Sequence, residues 1–120
     1  MVLVDTSVWI DHLRKGNAHL VDLLEGGQVL VHPFVIGELA CGSLHNRSEI
    51  LRLLQQLPGA ALADQTEVLY LLETERLYGR GLGWVDVHLL AAARLSAIRI
   101  WSLDSALSSA ASSLRLAYVH

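Results

Sequence analysis

Four acidic residues of this sequence lie in mostly apolar segments, and together they could bind divalent metal ions. Asp5 and Asp104 each follow a short apolar run. Glu38 lies within a predicted helix, and Asp86 lies in the first turn of another. Neighbouring carboxylates raise one another's pKa, and a divalent cation removes this repulsion. Such oxygen ligands favour Mg²⁺ or Mn²⁺, which can activate water for phosphodiester hydrolysis.

The elements that must position these acids alternate between short strands and helices. The predicted strands are uninterrupted apolar runs, typical of strands covered on both faces, so we expect a parallel sheet in a three-layer α/β/α sandwich. Ligands bind at the carboxyl ends of such strands, where Asp5 and Asp104 are placed. The predicted strands are Met1–Val4, Val29–Val31, Ala60–Ala63, Arg99–Leu103 and Leu116–Val119. The predicted helices include Ala18–Leu24, Phe34–Cys41, Ile50–Leu57, Asp64–Tyr78, Trp84–Ser96 and Asp104–Ser112.

The composition excludes several classes of protein. A chain of 120 residues has the size of one domain, which we expect to span residues 1–120. Hydrophobic residues make up 52% and charged residues 18%, which excludes a disordered chain. Twelve acids face nine bases, which excludes a polybasic nucleic-acid arm. The single cysteine, Cys41, excludes an intrachain disulfide and favours a cytoplasmic protein, and no segment has the length of a membrane span.

Four segments, in order along nearly the whole chain, resemble the motifs of a known family. Val4–Ile10 resembles the opening motif of PIN-domain ribonucleases, in particular the VapC-type toxins of type II toxin–antitoxin systems. Val35–Gly42, Gly83–Ala93 and Trp101–Leu107 resemble the second, third and fourth acidic motifs of that family. One such motif is weak on its own, whereas four in the family's order and spacing are specific.

The resemblance implies a metal-dependent endoribonuclease that leaves a 3′-hydroxyl and a 5′-phosphate. It implies Mg²⁺, which Mn²⁺ can replace, as the cofactor, and a small antitoxin and a second copy of the chain as partners. The implied catalytic and metal-binding residues are Asp5, Glu38, Asp86 and Asp104. The residues implied to hold these carboxylates or a water through their hydroxyl groups are Thr6, Ser7 and Ser102.

Basic and aromatic residues near the motifs are weaker candidates for RNA contacts. Arg80, in a glycine-rich loop, and Arg14 are candidate phosphate ligands. Aromatic rings can stack on single-stranded bases, but core packing is the commoner role. We therefore interpret Trp9, Trp84 and Trp101 as core residues. His88 follows Asp86 by two residues, a spacing that points it to another helix face.

Other functions fit the same size and fold class less well. A receiver-type signalling domain needs an acidic pair after its first strand and a late lysine, whereas the only lysine is Lys15. A haloacid-dehalogenase-type phosphatase needs Asp-x-Asp, and Ser7 stands at the second position. A PIN fold that binds RNA or protein without catalysis remains the alternative, and metal binding by titration calorimetry separates it from a nuclease.

Overall fold

The centre of the molecule is a small parallel sheet, as seen in a computed structural model that describes residues 1–120. Its strands are β1 (Val2–Val4), β2 (Val29–Leu30) and β3 (Arg99–Trp101), in the order β2-β1-β3. Leu3, on the central strand, pairs with Leu30 on one side and Ile100 on the other. All three residues of β1 are buried, as expected for a strand covered on both faces.

The predicted strands Ala60–Ala63 and Leu116–Val119 are wrong as strands, because each region contributes a single bridge to the sheet edge, the first at Gly59, one residue before the predicted strand. Val31 bridges to Gly59, and Ile100 bridges to Ala117. The Ala61 amide then donates to Ser96 Oγ at 2.9 Å, so the chain has left the sheet edge after one residue. A parallel pair continues only while both chains stay extended side by side, and these contacts end that pairing.

Seven helices cover the sheet and complete the three-layer α/β/α sandwich. A cluster of 27 buried apolar residues fills the space between the layers. None of the helices is long and apolar enough to span a membrane. The helices are α1 (Thr6–Lys15), α2 (Ala18–Glu25), α3 (Pro33–Cys41), α4 (Arg47–Gln55), α5 (Gln65–Thr74), α6 (Trp84–Ser96) and α7 (Ser105–Ser113).

The helix bounds agree with the sequence to within one residue except at both ends of α4, which ends at Gln55 rather than Leu57, and at the end of α5. Helix α4 begins at Arg47, before its apolar stripe, and α5 ends at Thr74 rather than near Tyr78. Arg76 adopts a left-handed conformation (φ 52°), and the Leu77 amide donates to the Leu72 carbonyl at 3.0 Å. This pattern is a Schellman motif, which closes a helix, and the apolar periodicity alone does not reveal it.

Capping residues at helix starts connect the fold with the candidate site. The predicted capping box of α5 is present, because Asp64 and Glu67 exchange side-chain bonds with each other's amides. Asp5 is the N-cap of α1 and Asp104 is the N-cap of α7. Asp5 directly follows β1 and Asp104 lies three residues after β3, so both start helices at the same edge of the sheet.

Candidate metal centre

Asp5 is the most enclosed acid of the site, with 6% of its surface exposed. Its amide donates to the Trp101 carbonyl at 2.9 Å, which extends the pairing of β1 with β3 by one residue. Its Oδ2 accepts hydrogen bonds from the hydroxyls of Ser7 and Ser102, both at 2.7 Å. Donors from two different elements therefore fix the position of this carboxylate.

The same two serines tie the end of β3 to the start of α1. Ser7 Oγ accepts from the Leu103 amide at 2.9 Å, and Ser102 Oγ accepts from the Asp104 amide at 3.0 Å. Each hydroxyl has one proton, which it donates to Asp5, so the 3.3 Å contact between the two hydroxyls needs no hydrogen bond. Ser102 thus donates a hydrogen bond to the Asp5 carboxylate and accepts one from the Asp104 backbone amide.

The other acids come from three different helix regions. Asp104 Oδ2 accepts from the Leu107 amide at 2.9 Å, as a helix cap. Asp86 lies in the first turn of α6, and its Oδ2 accepts from the Gly83 amide at 2.9 Å. Glu38 is exposed on α3, and its Oε1 accepts from the hydroxyl of Thr6 at 2.7 Å. The predicted roles of Thr6, Ser7 and Ser102 therefore correspond to observed contacts with the acids.

The charges of the other three acids act on Asp86. Burial raises the pKa of Asp86, and the hydrogen bond from Gly83 opposes this effect. The negative charges of Asp5, Asp104 and Glu38 raise the pKa of Asp86 further. Such coupling requires proximity, since exposed charges beyond about 10 Å are largely screened. The structure therefore places Asp5, Glu38 and Asp104 within electrostatic range of Asp86.

Each of the four carboxylates has one oxygen engaged and one oxygen without a hydrogen-bond donor. The engaged atoms are Asp5 Oδ2, Glu38 Oε1, Asp86 Oδ2 and Asp104 Oδ2. No group of three or more His, Cys, Asp or Glu side chains is gathered closely enough to hold a metal ion by itself. Mg²⁺ keeps several waters and takes only one or two carboxylates directly, so this open donor set fits it.

The basic and aromatic candidates for RNA contacts lie in different surroundings in the structure. Arg14 and Glu38 line the same cavity of about 500 Å³, whereas the Arg80 guanidinium lies 3.4 Å from Ser113 Oγ. Neither arginine forms an ion pair. Trp9 and Trp101 are core residues, with 4% and 5% of their surface exposed. For Trp84 the core interpretation is wrong, because 42% of its surface is exposed.

Sequence reasoning missed an aromatic group beside the acids. The His88 ring packs edge-on against Phe34 and Trp84, and His32 packs against Phe34. Burial lowers the pKa of His88, and it lowers the pKa of His32, with help from the charge of His88, to about 4. The available signal was spacing, since Phe34 precedes Glu38 by four residues and so shares a helix face with it.

Comparison with known proteins agrees with this geometry. The family model "PIN domain" matches residues 2–113. The chain belongs to the PIN-domain family. Ribonuclease VapC32 of Mycobacterium tuberculosis, from strains CDC 1551 / Oshkosh and H37Rv, is 47% identical to this PIN domain over 111 residues. That match covers 92% of this chain and 90% of the relative, and it groups the chain with the VapC-type proteins.

A solved structure supports the fold independently. A chain of the FitAcB crystal structure from Neisseria gonorrhoeae matches this PIN domain with a TM-score of 0.64. The match covers 93% of this chain and 94% of the other, at 18% sequence identity. At that identity the likeness establishes the fold and leaves the chemistry to be argued from the site.

Removing the Ser102 hydroxyl should weaken metal binding, because one oxygen positions both Asp5 and Asp104. We expect Ser102→Ala to lower the affinity for Mg²⁺ or Mn²⁺ by about 10- to 100-fold, as is typical when a group that orients metal ligands is lost. Isothermal titration calorimetry measures this, with Ser102→Thr restoring the affinity and Ser109→Ala, on the exposed side of α7, as the matched control. Wild-type affinity in Ser102→Ala would contradict the positioning role.

Replacing Asp86 with asparagine should stabilise the metal-free protein near pH 7. The raised pKa means that the folded state holds this proton more tightly than the unfolded chain, so stability is lost as the pH rises through that pKa. Asparagine keeps an acceptor for the Gly83 amide and carries no charge. In EDTA, scanning calorimetry should show a higher melting temperature for Asp86→Asn at pH 7.

The pH dependence supplies the control for this variant. Below the ordinary aspartate pKa of 3.8, the wild-type Asp86 is protonated as well, so the gain from Asp86→Asn should disappear. A melting temperature below that of the wild type at pH 7 would show that burial and like-charge repulsion do not govern this carboxyl group.

Proposed function

We propose that this PIN domain is a metal-dependent endoribonuclease toxin that hydrolyses RNA phosphodiester bonds and is neutralised by a cognate antitoxin. The observation that carries the proposal is the set of four carboxylates, each with one oxygen free of hydrogen-bond donors, three of which act on the charge of Asp86. The relative named Ribonuclease VapC32, 47% identical over most of both chains, supports RNA as the substrate. The cytoplasm, where RNA is made and translated, is the proposed site of action.

In this proposal Asp5, Glu38, Asp86 and Asp104 would hold Mg²⁺ or Mn²⁺ through their free oxygens. When bound, such an ion supplies charge neutralisation at the phosphate and a lowered pKa for water. The protein keeps the carboxylates in place beforehand: the two serine hydroxyls hold Asp5, and Thr6 holds Glu38. This preorganisation limits the reorganisation that the site needs when the substrate arrives.

The charge balance of the chain is compatible with RNA once the acids have a function. Without the four site acids, eight acids would face nine bases, so the remainder of the chain is nearly neutral. Each bound divalent cation would offset two of the four negative charges at the carboxylates and so reduce the repulsion of RNA phosphates. Arg14, beside Glu38, and Arg80 are unpaired cations that we propose as phosphate contacts.

The proposed protein partners are a small antitoxin and a second copy of the chain. A cavity of about 480 Å³ between α1 and α4 has an apolar lining that includes Trp9, Leu13 and Leu53. It shares Leu13 and Ile50 with the cavity that holds Arg14 and Glu38. A peptide bound along both cavities would bury apolar surface and reach the acids, which is how we propose that an antitoxin blocks the site.

Asp5→Asn should abolish RNA cleavage without unfolding the protein. The substitution removes the charge of the most enclosed ligand but keeps an oxygen for the two serine hydroxyls. We expect the cleavage rate to fall by at least about 100-fold, because a catalytic metal supplies several kcal/mol of stabilisation. Mapping of 5′ ends after induced expression in cells measures the activity and identifies the cleaved RNA, and EDTA should abolish cleavage by the purified wild type.

The matched control for this experiment is Asp22→Asn, which removes an exposed acid from α2. It should cleave like the wild type. EDTA-insensitive cleavage in Asp5→Asn would exclude the metal mechanism. A folded wild type that binds Mg²⁺ and cuts no RNA would favour the non-catalytic binding module instead.

RNA affinity should depend on divalent metal more than on ionic strength. Without metal, four carboxylates repel the phosphate backbone, whereas bound cations attract it. Stopped-flow anisotropy, which records binding to a short single-stranded RNA before cleavage, should show much tighter binding with Mg²⁺ than with EDTA. Sodium chloride added to equal ionic strength is the control. Equal affinity in EDTA would show that the acids do not lie in the path of the RNA.

A further inference from the structure

Three rings form an exposed aromatic surface next to the candidate metal centre, which we call the aromatic shelf. It consists of Phe34 on α3 and of Trp84 and His88 on α6. The ring centres of Phe34 and Trp84 lie 4.7 and 4.9 Å from that of His88, both in edge-on geometry. Phe34 is 40% exposed and Trp84 is 42% exposed, whereas His88 is 8% exposed and forms the floor.

The exposure of Trp84 is specific to its place in the fold. Trp9 and Trp101 are almost completely buried, so the apolar core of this protein accommodates tryptophan side chains elsewhere. A single exposed apolar residue needs no explanation. Two large rings held at fixed angles by a third ring are different, because they present a rigid apolar surface that loses little conformational entropy on binding.

The helices that carry the shelf also carry two of the site acids. Phe34 and Glu38 are separated by four residues on α3, so they lie on one face about one helical turn, or 5.4 Å, apart. Trp84 and Asp86 share the first turn of α6. A group bound on the shelf therefore lies about one helical turn from Glu38, while Asp86 lies in the same turn as Trp84 on a different helix face.

The floor of the shelf has unused hydrogen-bonding capacity. Neither ring nitrogen of His88 has a hydrogen-bond partner in the protein, and neither is fully enclosed. The contrast is His32 beneath Phe34, whose Nδ1 accepts from the Phe34 amide at 3.0 Å and whose Nε2 is enclosed. A planar ligand with polar edges would meet both an aromatic surface and the unpaired nitrogens of a mostly buried imidazole here.

We propose that the aromatic shelf binds one nucleobase of single-stranded RNA, next to the phosphodiester bond that the metal centre cleaves. The base stacks on Trp84 and Phe34, and an unpaired ring nitrogen of His88 offers one hydrogen bond. This inference rests on the proposed ribonuclease function and assigns it a substrate-positioning surface. Single-stranded RNA fits because every base has a flat face that stacks on aromatic rings, while its phosphates reach the metal centre.

Tryptophan fluorescence tests the shelf directly, because Trp84 is the exposed tryptophan and the other two are buried. We expect a short single-stranded oligoribonucleotide, added with Ca²⁺ as the cation, to quench this emission. An abasic oligonucleotide of equal length, which keeps the phosphates and lacks the bases, should quench little. Quenching should disappear in Trp84→Phe, in which the remaining tryptophans are enclosed. Equal quenching by both oligonucleotides would overturn the proposal.

Affinity and kinetics separate stacking from a merely structural role. Trp84→Ala should weaken RNA binding and raise KM by about 5- to 150-fold, the range measured for the loss of one stacked base, with little change in kcat. Trp84→Phe should recover most of this loss, and the affinity for Mg²⁺ should stay at the wild-type value. Tyr70→Ala, which removes an exposed ring from α5, is the matched control and should change neither RNA binding nor KM.

The remaining outcomes distinguish this proposal from the proposed function. Wild-type KM and RNA affinity in Trp84→Ala would overturn the shelf while leaving the ribonuclease intact. A wild type that cuts no RNA would overturn the ribonuclease, and base-dependent quenching would still decide the shelf. Sedimentation velocity tests whether a second copy of the chain covers these rings instead. If Trp84→Ala changes from dimer to monomer and keeps the wild-type preference for oligonucleotides with bases, the rings form a dimer contact and the proposal is overturned.

Discussion

Four like charges lie within electrostatic range of one another at the carboxyl edge of the sheet, and no lysine or arginine forms an ion pair with them. The ion pairs of this chain involve Lys15, Arg52 and Arg94, none of which reaches the site acids. Amide and hydroxyl donors hold the carboxylates instead. Three of the four lie at helix starts, where the positive end of the helix dipole favours negative charge. Neutral donors thus offset the repulsion and leave the net negative charge to attract a cation from solution.

The hydrogen bonds that hold the acids are also hydrogen bonds that define the fold. Asp5 and Asp104 cap helices, a contribution of about 0.5–2 kcal/mol each, and the hydroxyl of Ser102 joins both. Each of these two carboxylates caps its helix with one oxygen. Its other oxygen is therefore free, and the amides at the helix start still have an acceptor. The local structure and the site are therefore formed by the same contacts, and a folded domain has its acids already in place.

The sequence predicts those parts of the molecule that depend on local pattern. The central strands, most helix bounds and the placement of Asp5 and Asp104 follow from apolar runs and capping residues. The parts that depend on distant contacts do not follow. The bond from Thr6 to Glu38 joins residues 32 positions apart, and Ser102 lies 97 positions from Asp5. Trp9 and Trp84 have similar apolar neighbours, yet only tertiary packing decides which of them is enclosed.

One helix start connects the aromatic shelf with the acids. His32 caps α3 because its Nδ1 accepts the Phe34 amide, which leaves the proton of the neutral ring on the enclosed Nε2. Burial lowers the pKa of His32 to about 4, so the ring stays neutral and keeps accepting this bond at any pH well above that value. A protonated ring would turn Nδ1 into a donor facing the Phe34 amide. Phe34 and Glu38 both lie on the helix that His32 caps. One buried neutral imidazole therefore helps to position both a ring of the shelf and an acid of the site.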